Sequence, residues 1–257
     1  MAYRNLSLVI EGGIACLTID RDAVLNALDA DTVDELRDAC AAVEKDETAR
    51  VLVLTGAGRA FSSGADLGGG TGELSMDILR KHANPLIEQL YALRVPIVVA
   101  VNGAAVGAGC SLALAGDIVV AARSAYFLLA FAKVGLVPDT GATWLLPRLL
   151  GRSRATAAMM LGERITAETA AAWGMVHSVV DDNMLADTVA AISAKLAEGP
   201  TLAYGLIRHG IRECLEAPLS RALEIETRHQ EIASASRDFA EGVIAFREKR
   251  KPVFIGR

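Results

Sequence analysis

The chain has 257 residues, 52 % of them apolar and 22 % charged, with a formal net charge of −5. That is enough for one large core, or a core with an appendage, in a soluble globular protein, and the lack of a basic excess or a Lys/Arg stripe argues against a nucleic-acid partner. Cys16, Cys40, Cys110 and Cys214 show no CxxC spacing, and the start, MAYRNLSLVIEGG, lacks a charged segment followed by a long apolar stretch, so a reduced, cytoplasmic setting is expected.

Residues 6–10 and 14–19 read as strands flanking Glu11-Gly12-Gly13, a hairpin signal. A helix follows over 31–45, opened by acidic residues and carrying Val33, Leu36, Cys40 and Val43 on one face. The apolar run 51–54 reads as a buried strand and leads to a glycine-rich turn, FSSGADL, at 61–67. A flexible loop is expected at 68–72, then a helix over 77–93 that leads to Pro96. The run 95–101 reads as a second buried strand, entering a second turn, NGAAVGAG, at 102–109. Residues 95–122 are almost continuously apolar, yet Asn102, Asp117 and several glycines interrupt them. The β-branched start and Ala/Leu-rich 104–115 fit strand, turn, buried helix and strand (118–121) better than a membrane span.

Pro138 and Asp139 precede a helical stretch through 150, and 167–173 begins another helix closed by Gly174. From 184 onward the pattern is helical, with candidates at 184–198, 201–216 and 219–246. The change in composition near residue 190 divides the chain into an α/β part, 1–190, and a helical part, 191–257.

Both glycine-rich turns lie at the ends of buried strands, where open α/β sheets place their ligands. Neither carries a strong nucleophile; both expose backbone N–H groups on small residues, which suits a developing negative charge. His82, His177, His209 and His229 are isolated from one another and from the cysteines, so no metal-ligand spacing appears. Cys110 reads as a small buried thiol, Ser62 and Ser63 lack a GxSxG frame, and Gly107-Ala-Gly109 falls short of a dinucleotide fingerprint, with Leu112 at the third glycine position.

Five segments together resemble the enoyl-CoA hydratase/isomerase, or crotonase, family: LTIDRDAVLNAL, AFSSGADL, VPIVVAVNGAAVGAGCSLALAGDI, GLVPDTGATWLLPRLLG and EGVIAFREKR. The likeness spans essentially the whole chain. It implies a spiral of ββα turns followed by a helical C-terminal trimerisation region, trimers that often pair as hexamers, and an acyl-CoA thioester substrate with no cofactor beyond that coenzyme A. It also implies an oxyanion hole made by the backbone N–H groups of Ala65 and Ala108. The resemblance puts CoA contacts along Ala23, Leu25, Ser63, Gly64, Asp66, Leu67 and Gly107, with Phe131 and Pro138 near the acyl group. Phe246 and Lys249 match an aromatic residue and a lysine contributed by a neighbouring subunit, and Arg21 and Arg59 are further phosphate candidates. Asp66 itself is expected to pair or cap locally.

Where hydratases of the family hold water between two glutamates, the aligned positions are Ser111 and Phe131, and neither can act as a general base. Asp139 remains. An aspartate here, in a PD[ST]G motif, marks the family's epoxyphenylacetyl-CoA isomerase type of the phenylacetate pathway, and WLLPRLLG resembles that subgroup too. Asp139 also follows a proline at a helix start, where Asp is a favoured N-cap. An apolar wall of Leu128, Phe131 and Val137 would raise its pKa and the helix N-terminus would lower it. The expected activity is isomerisation of an enoyl-CoA or ring-derived acyl-CoA with Asp139 as base. The alternatives are a hydratase using Asp139 with an acid such as Glu73, a dehalogenase-like reaction with Asp139 as nucleophile, and a non-catalytic acyl-CoA-binding subunit.

Overall fold

The structure, a computed structural model, describes residues 3–66 and 76–257; Leu67, Glu73 and the loop expected at 68–72 lie outside them. An antiparallel hairpin begins the fold. Its strands β1 (Leu6–Glu11) and β2 (Ile14–Ile19) meet across Gly12 and Gly13, whose φ values of 57° and 84° suit a tight two-residue turn. Helix α1 (Ala30–Lys45) is capped by Asp29, whose carboxylate accepts from Thr32 N. Then come β3 (Val51–Gly56), β4 (Ala60–Ser62), α2 (Met76–Ile78), a π-helical stretch (Leu79–Ala83) and α3 (Asn84–Ala92). The next coil is β5 (Ile97–Val101), β6 (Ala104–Val106) and α4 (Ala108–Leu114), and the one after it β7 (Ile118–Ala122), β8 (Tyr126–Leu128) and α5 (Ala142–Leu161). Finally β9 (Ile165–Thr166), α6 (Ala167–Ala172) and β10 (Ser178–Val180) lead to α7 (Leu185–Ala197), α8 (Thr201–Cys214), α9 (Leu219–Ser234) and α10 (Arg237–Glu248).

The chain is a spiral of ββα coils in which each coil gives one strand to each of two sheets. The larger sheet has the order β1-β2-β3-β5-β7-β10 and the smaller β4-β6-β8-β9. Pairs β3/β5, β5/β7, β4/β6 and β6/β8 are all parallel. Parallel strands covered on both faces need side chains apolar on both sides, which is why VLVL and IVVAV run without alternation. Leu52, Leu54, Ile97, Val98, Val99, Val101 and Val120 are at most 1 % exposed. Each such side chain contributes about 1.5–3 kcal/mol by burial, far more than local propensity, so the large sheet holds the coils in place. Helix α7 packs on β3, β5 and β7, and the boundary expected at 190 falls inside it.

The hairpin, α1, β3, β5, α4 and β7 form where the pattern puts them. Other expectations are corrected. The second glycine-rich turn is not one turn, because Ala104–Val106 forms β6 on the ladder of the small sheet. The helix expected over 219–246 is two, α9 and α10, broken where the Ser236 side chain accepts from Phe239 N and starts a new helix. The stretch expected to end at 150 does lose helical geometry there, at Gly151 (φ 73°, ψ 161°), but a further helical segment that was not expected follows it to Leu161. Asp139 does not cap α5: the cap position is Gly141, and only the Asp139 main-chain carbonyl accepts from Ala142 N.

Candidate active site

The first turn is built on Asn26, which is fully buried with φ 57°. Its Nδ2 donates to the carbonyls of Ala57 and Ala60 at 2.9 and 2.8 Å, and its own carbonyl accepts from Ser62 Oγ at 2.8 Å. The segment from Val24 to Leu28 is thereby laid along residues 62–66. Ser63 N donates to Leu25 O, Leu28 N to Gly64 O, and Asp66 N to Leu28 O. In this parallel bridge Leu28 uses both of its backbone groups, which turns the N–H of Ala65 to the other side. The structure thus brings Leu25, Ser63, Gly64, Ala65 and Asp66 together, with Ala23 two residues before Leu25 in the chain.

The second turn lies directly against the first. A Cβ on Gly64 would stand 2.5 Å from Val106 O and 3.3 Å from Ala108 N, and one on Gly109 would stand 2.7 Å from Ser62 Cβ, O and Oγ. Glycine at these positions is a condition of the two turns touching. Gly107 (φ 54°, ψ −124°) precedes α4, and Ala108, the first residue of that helix, has an N–H with no intrahelical acceptor. Every residue of α4 is buried, Ser111 and Cys110 completely. Burial pushes the Cys110 thiol up to about 12, which leaves it protonated and inert.

Phe131, 8 % exposed, sits against the same turn, its Cζ 3.8 Å from where a Gly107 Cβ would be. Asp139, half-buried beside Pro138, is joined to α4 by one hydrogen bond, Ser111 Oγ to Asp139 O at 3.2 Å. Burial raises the Asp139 pKa above its ordinary 3.8, opposed only by a hydrogen bond from Thr140 Oγ1 to Oδ1 at 2.8 Å. Desolvation therefore outweighs that hydrogen bond. It is the one carboxylate among the described residues whose pKa is clearly raised. Leu128 is half-buried, but Val137, expected beside it in the wall, is 79 % exposed.

Other expected contacts lie elsewhere. The Arg21 guanidinium, expected as a phosphate partner, pairs with Asp29 at 2.9 Å and Asp66 at 3.3 Å, so both Arg21 and Asp66 tie the first turn together from within. Phe246, 86 % exposed, and Lys249, at the left-handed end of α10, stand in the C-terminal helices. There Phe246 edges an apolar groove of about 430 Å³ with Phe239 and Phe254. His82 pairs with Asp34 and His229 with Glu213, and no cluster of three or more His, Cys, Asp or Glu among the described residues is placed to hold a metal. No described helix is long and apolar enough to cross a membrane.

Sequence reasoning missed the contacts of two hydroxyls, those of Ser111 and Thr140. A lone serine in the apolar helix AGCSLAL needs a buried partner, and that was a usable signal. The direction of the Thr140 hydroxyl depends on a backbone φ of 52° that no local pattern announces.

Residues 9–257 match the family model described as enoyl-CoA hydratase/isomerase. Over 255 residues the chain is 45 % identical to the 1,2-epoxyphenylacetyl-CoA isomerase of Escherichia coli K12, covering 96 % of this chain and 97 % of that one. It is 44 % identical to a protein of Rhodobacter capsulatus named probable enoyl-CoA hydratase, over the full length of both. The crystal structure of an enoyl-CoA hydratase from Bacillus anthracis superposes with a TM-score of 0.94 at 31 % identity, covering 99 % of this chain and 100 % of that one. A spiral of ββα coils with a helical C-terminal region, matched over nearly its whole length by these proteins, makes this chain an acyl-CoA enzyme of the enoyl-CoA hydratase/isomerase family.

Proposed function

We propose that the enzyme isomerises an enoyl-CoA or a ring-derived acyl-CoA through a thioester enolate, with Asp139 as its single base. The observation that carries the reading is the raised pKa of a half-buried Asp139, one hydrogen bond from the helix that Ala108 opens. The N–H groups of Ala65 and Ala108 receive the thioester oxygen. Asp139 removes a proton from the α-carbon of a β,γ-enoyl ester, the negative charge moves to that oxygen, and the same carboxyl returns the proton at the γ-carbon. No proton is gained or lost overall, so one carboxylate suffices. Hydration asks for a second acid, and the positions aligned with the family's glutamates hold Ser111 and Phe131. The E. coli relative, named an isomerase, supports the same reading.

Asp139→Asn is expected to abolish the β,γ to α,β shift, followed by absorbance, while CoA-ester binding measured by calorimetry stays within a few-fold. Undiminished turnover in that variant would remove Asp139 from the mechanism. Solvent-deuterium exchange at the α-carbon, run across aliphatic and phenylacetyl-type esters, identifies the acyl class and excludes a silent binding subunit. The name of the Rhodobacter relative favours a hydratase instead, and crotonyl-CoA hydration tests that directly.

Phe246 and Lys249 are assigned to the CoA site of a neighbouring subunit in a homotrimer or a pair of trimers. The exposed apolar side chains of Ile207, Ile211, Leu223, Phe239 and Phe246 on the helices after residue 190 support that assembly. A cytoplasmic location is in keeping with four cysteines that are all free thiols.

A further inference from the structure

We infer that Ser111 and Thr140 are a pair of positioning residues for Asp139, the first holding its main-chain carbonyl and the second its Oδ1, so that Oδ2 alone takes the substrate proton. The inference deepens the isomerase reading and rests on Asp139 being the base.

Ser111 has one hydroxyl proton and two acceptors in view. A serine inside a helix commonly bonds back to the carbonyl four residues earlier, here Gly107 O, but that distance is 3.5 Å against 3.2 Å to Asp139 O. The shorter bond crosses from α4 to the loop that carries the base. Because Ser111 is fully buried, water does not compete for that proton. The position of Asp139 is thereby referred to the same helix that begins with Ala108.

Thr140 adds the second point. It is 4 % exposed and has φ 52°, a left-handed conformation that is an outlier for a β-branched residue. A turn alone would be made more cheaply by glycine or asparagine. What threonine supplies here is a buried hydroxyl 2.8 Å from Asp139 Oδ1. Strain of this kind persists where the surroundings over-determine it, commonly at functional sites. Oδ2 receives no hydrogen bond among the described residues, so the two carboxylate oxygens are unequal before substrate arrives.

The bond from Thr140 is also the sole downward influence on an Asp139 pKa that burial raises, and no charged side chain contributes. Other titratable groups stand on the elements around it, the exposed Glu88 of α3 among them. Cys110 on α4 and Tyr91 on α3 are both pushed up to about 12 by burial. Arg148 on α5 pairs with Glu216, and Lys133 lies against Gly162. Among the described residues, Asp139 is thus the group expected to set the acid limb of the pH profile.

The test uses Thr140→Val, which keeps the shape and loses the hydroxyl, Thr140→Ser, which keeps the hydroxyl, and Ser111→Ala. In Thr140→Val the acid limb of kcat/KM is expected to move to higher pH and kcat to fall about tenfold or more, with KM within about twofold. Thr140→Ser is expected to restore both limb and rate. Ser111→Ala, acting through the main chain, lowers kcat about tenfold with the limb unmoved. An unmoved limb in Thr140→Val, an equal loss in Thr140→Ser, or wild-type kcat in Ser111→Ala overturns the inference. The Ser111 arm decides it even should Thr140→Val fail to fold. An active Asp139→Asn, by contrast, overturns the base assignment itself, so the two failures are told apart.

Discussion

Gly64→Ala probes the contact between the two turns most directly. Gly64 has φ 89°, and an added Cβ would stand 2.5 Å from Val106 O, about 0.8 Å short of the roughly 3.3 Å at which C–H···O contacts begin. The obstacle is a backbone oxygen, so it cannot swing away as a side chain would. The turn carrying Ala65 and the turn carrying Ala108 must separate by most of that distance. A misplacement near 1 Å in a catalytic constellation costs on the order of 10²-fold, so kcat for the double-bond shift should fall by about that factor, or about 2.7 kcal/mol of transition-state stabilisation. The left-handed backbone adds a stability cost of about 1–2 kcal/mol, measured by urea unfolding. Gly12→Ala is the control: its φ is 57°, nothing lies within 4 Å of the added Cβ, and it is in the hairpin. It should lose the stability and keep the rate. A folded Gly64→Ala enzyme with wild-type kcat would refute the view that the touching turns set the donor geometry.

Partial burial of the Asp139 carboxylate carries a stability cost of its own. Burial raises the folded-state pKa of Asp139, so the folded state holds the proton more tightly than the unfolded chain; this favours folding below the unfolded value, and the benefit is lost as pH rises through the folded value. Asp139→Asn should therefore raise Tm at pH 7 although it abolishes turnover, and the gain should vanish below about pH 4; a lower Tm at pH 7 would contradict this. Far from the site, Arg208 is 7 % exposed and ion-pairs with Asp117 at 2.6 Å while donating to the carbonyls of Leu90 and Leu93. Arg208→Met should destabilise by about 3 kcal/mol, the lower end for a broken buried pair because Asp117 is 30 % exposed, and adding Asp117→Asn should recover part of the loss in denaturant titrations.

The parts of the fold that were readable are those whose pattern is long enough to have a period. The six residues of β2 and the sixteen of α1 each repeat their apolar positions several times. The strands β4, β6 and β8 have three residues each, too few to alternate; β6 lies inside a segment that reads as a glycine-rich turn and β4 runs into the other. Their pairing is fixed by the large sheet beside them. The break between α9 and α10 escaped because no glycine or proline marks it, only a serine cap whose effect depends on the chain direction around it. At the site, the two turns stood out by residue type, as small residues at the ends of apolar strands, whereas Asp139 stood out only through the family resemblance, on its PD[ST]G motif. The Ser111 and Thr140 contacts were not legible, because each joins groups whose approach depends on tertiary packing or on an unusual φ.

The alternation of coils has a thermodynamic side. Ala65, Ala108 and Asp139 come from three successive coils, each from the stretch that leaves a strand of the small sheet. Between the first two coils that sheet supplies only the short ladder of Ala60 with Ala104 and Ser62 with Ala105. On the proposed reading, an oxygen atom held by both N–H groups would tie the two coils together beyond that ladder. Ligand at a hundred times its Kd stabilises the folded chain by about 2.7 kcal/mol, and slowed amide exchange should gather in β4 and β6 while the β1–β2 hairpin exchanges as before. On this reading the substrate is, for the length of its stay, a piece of the sheet.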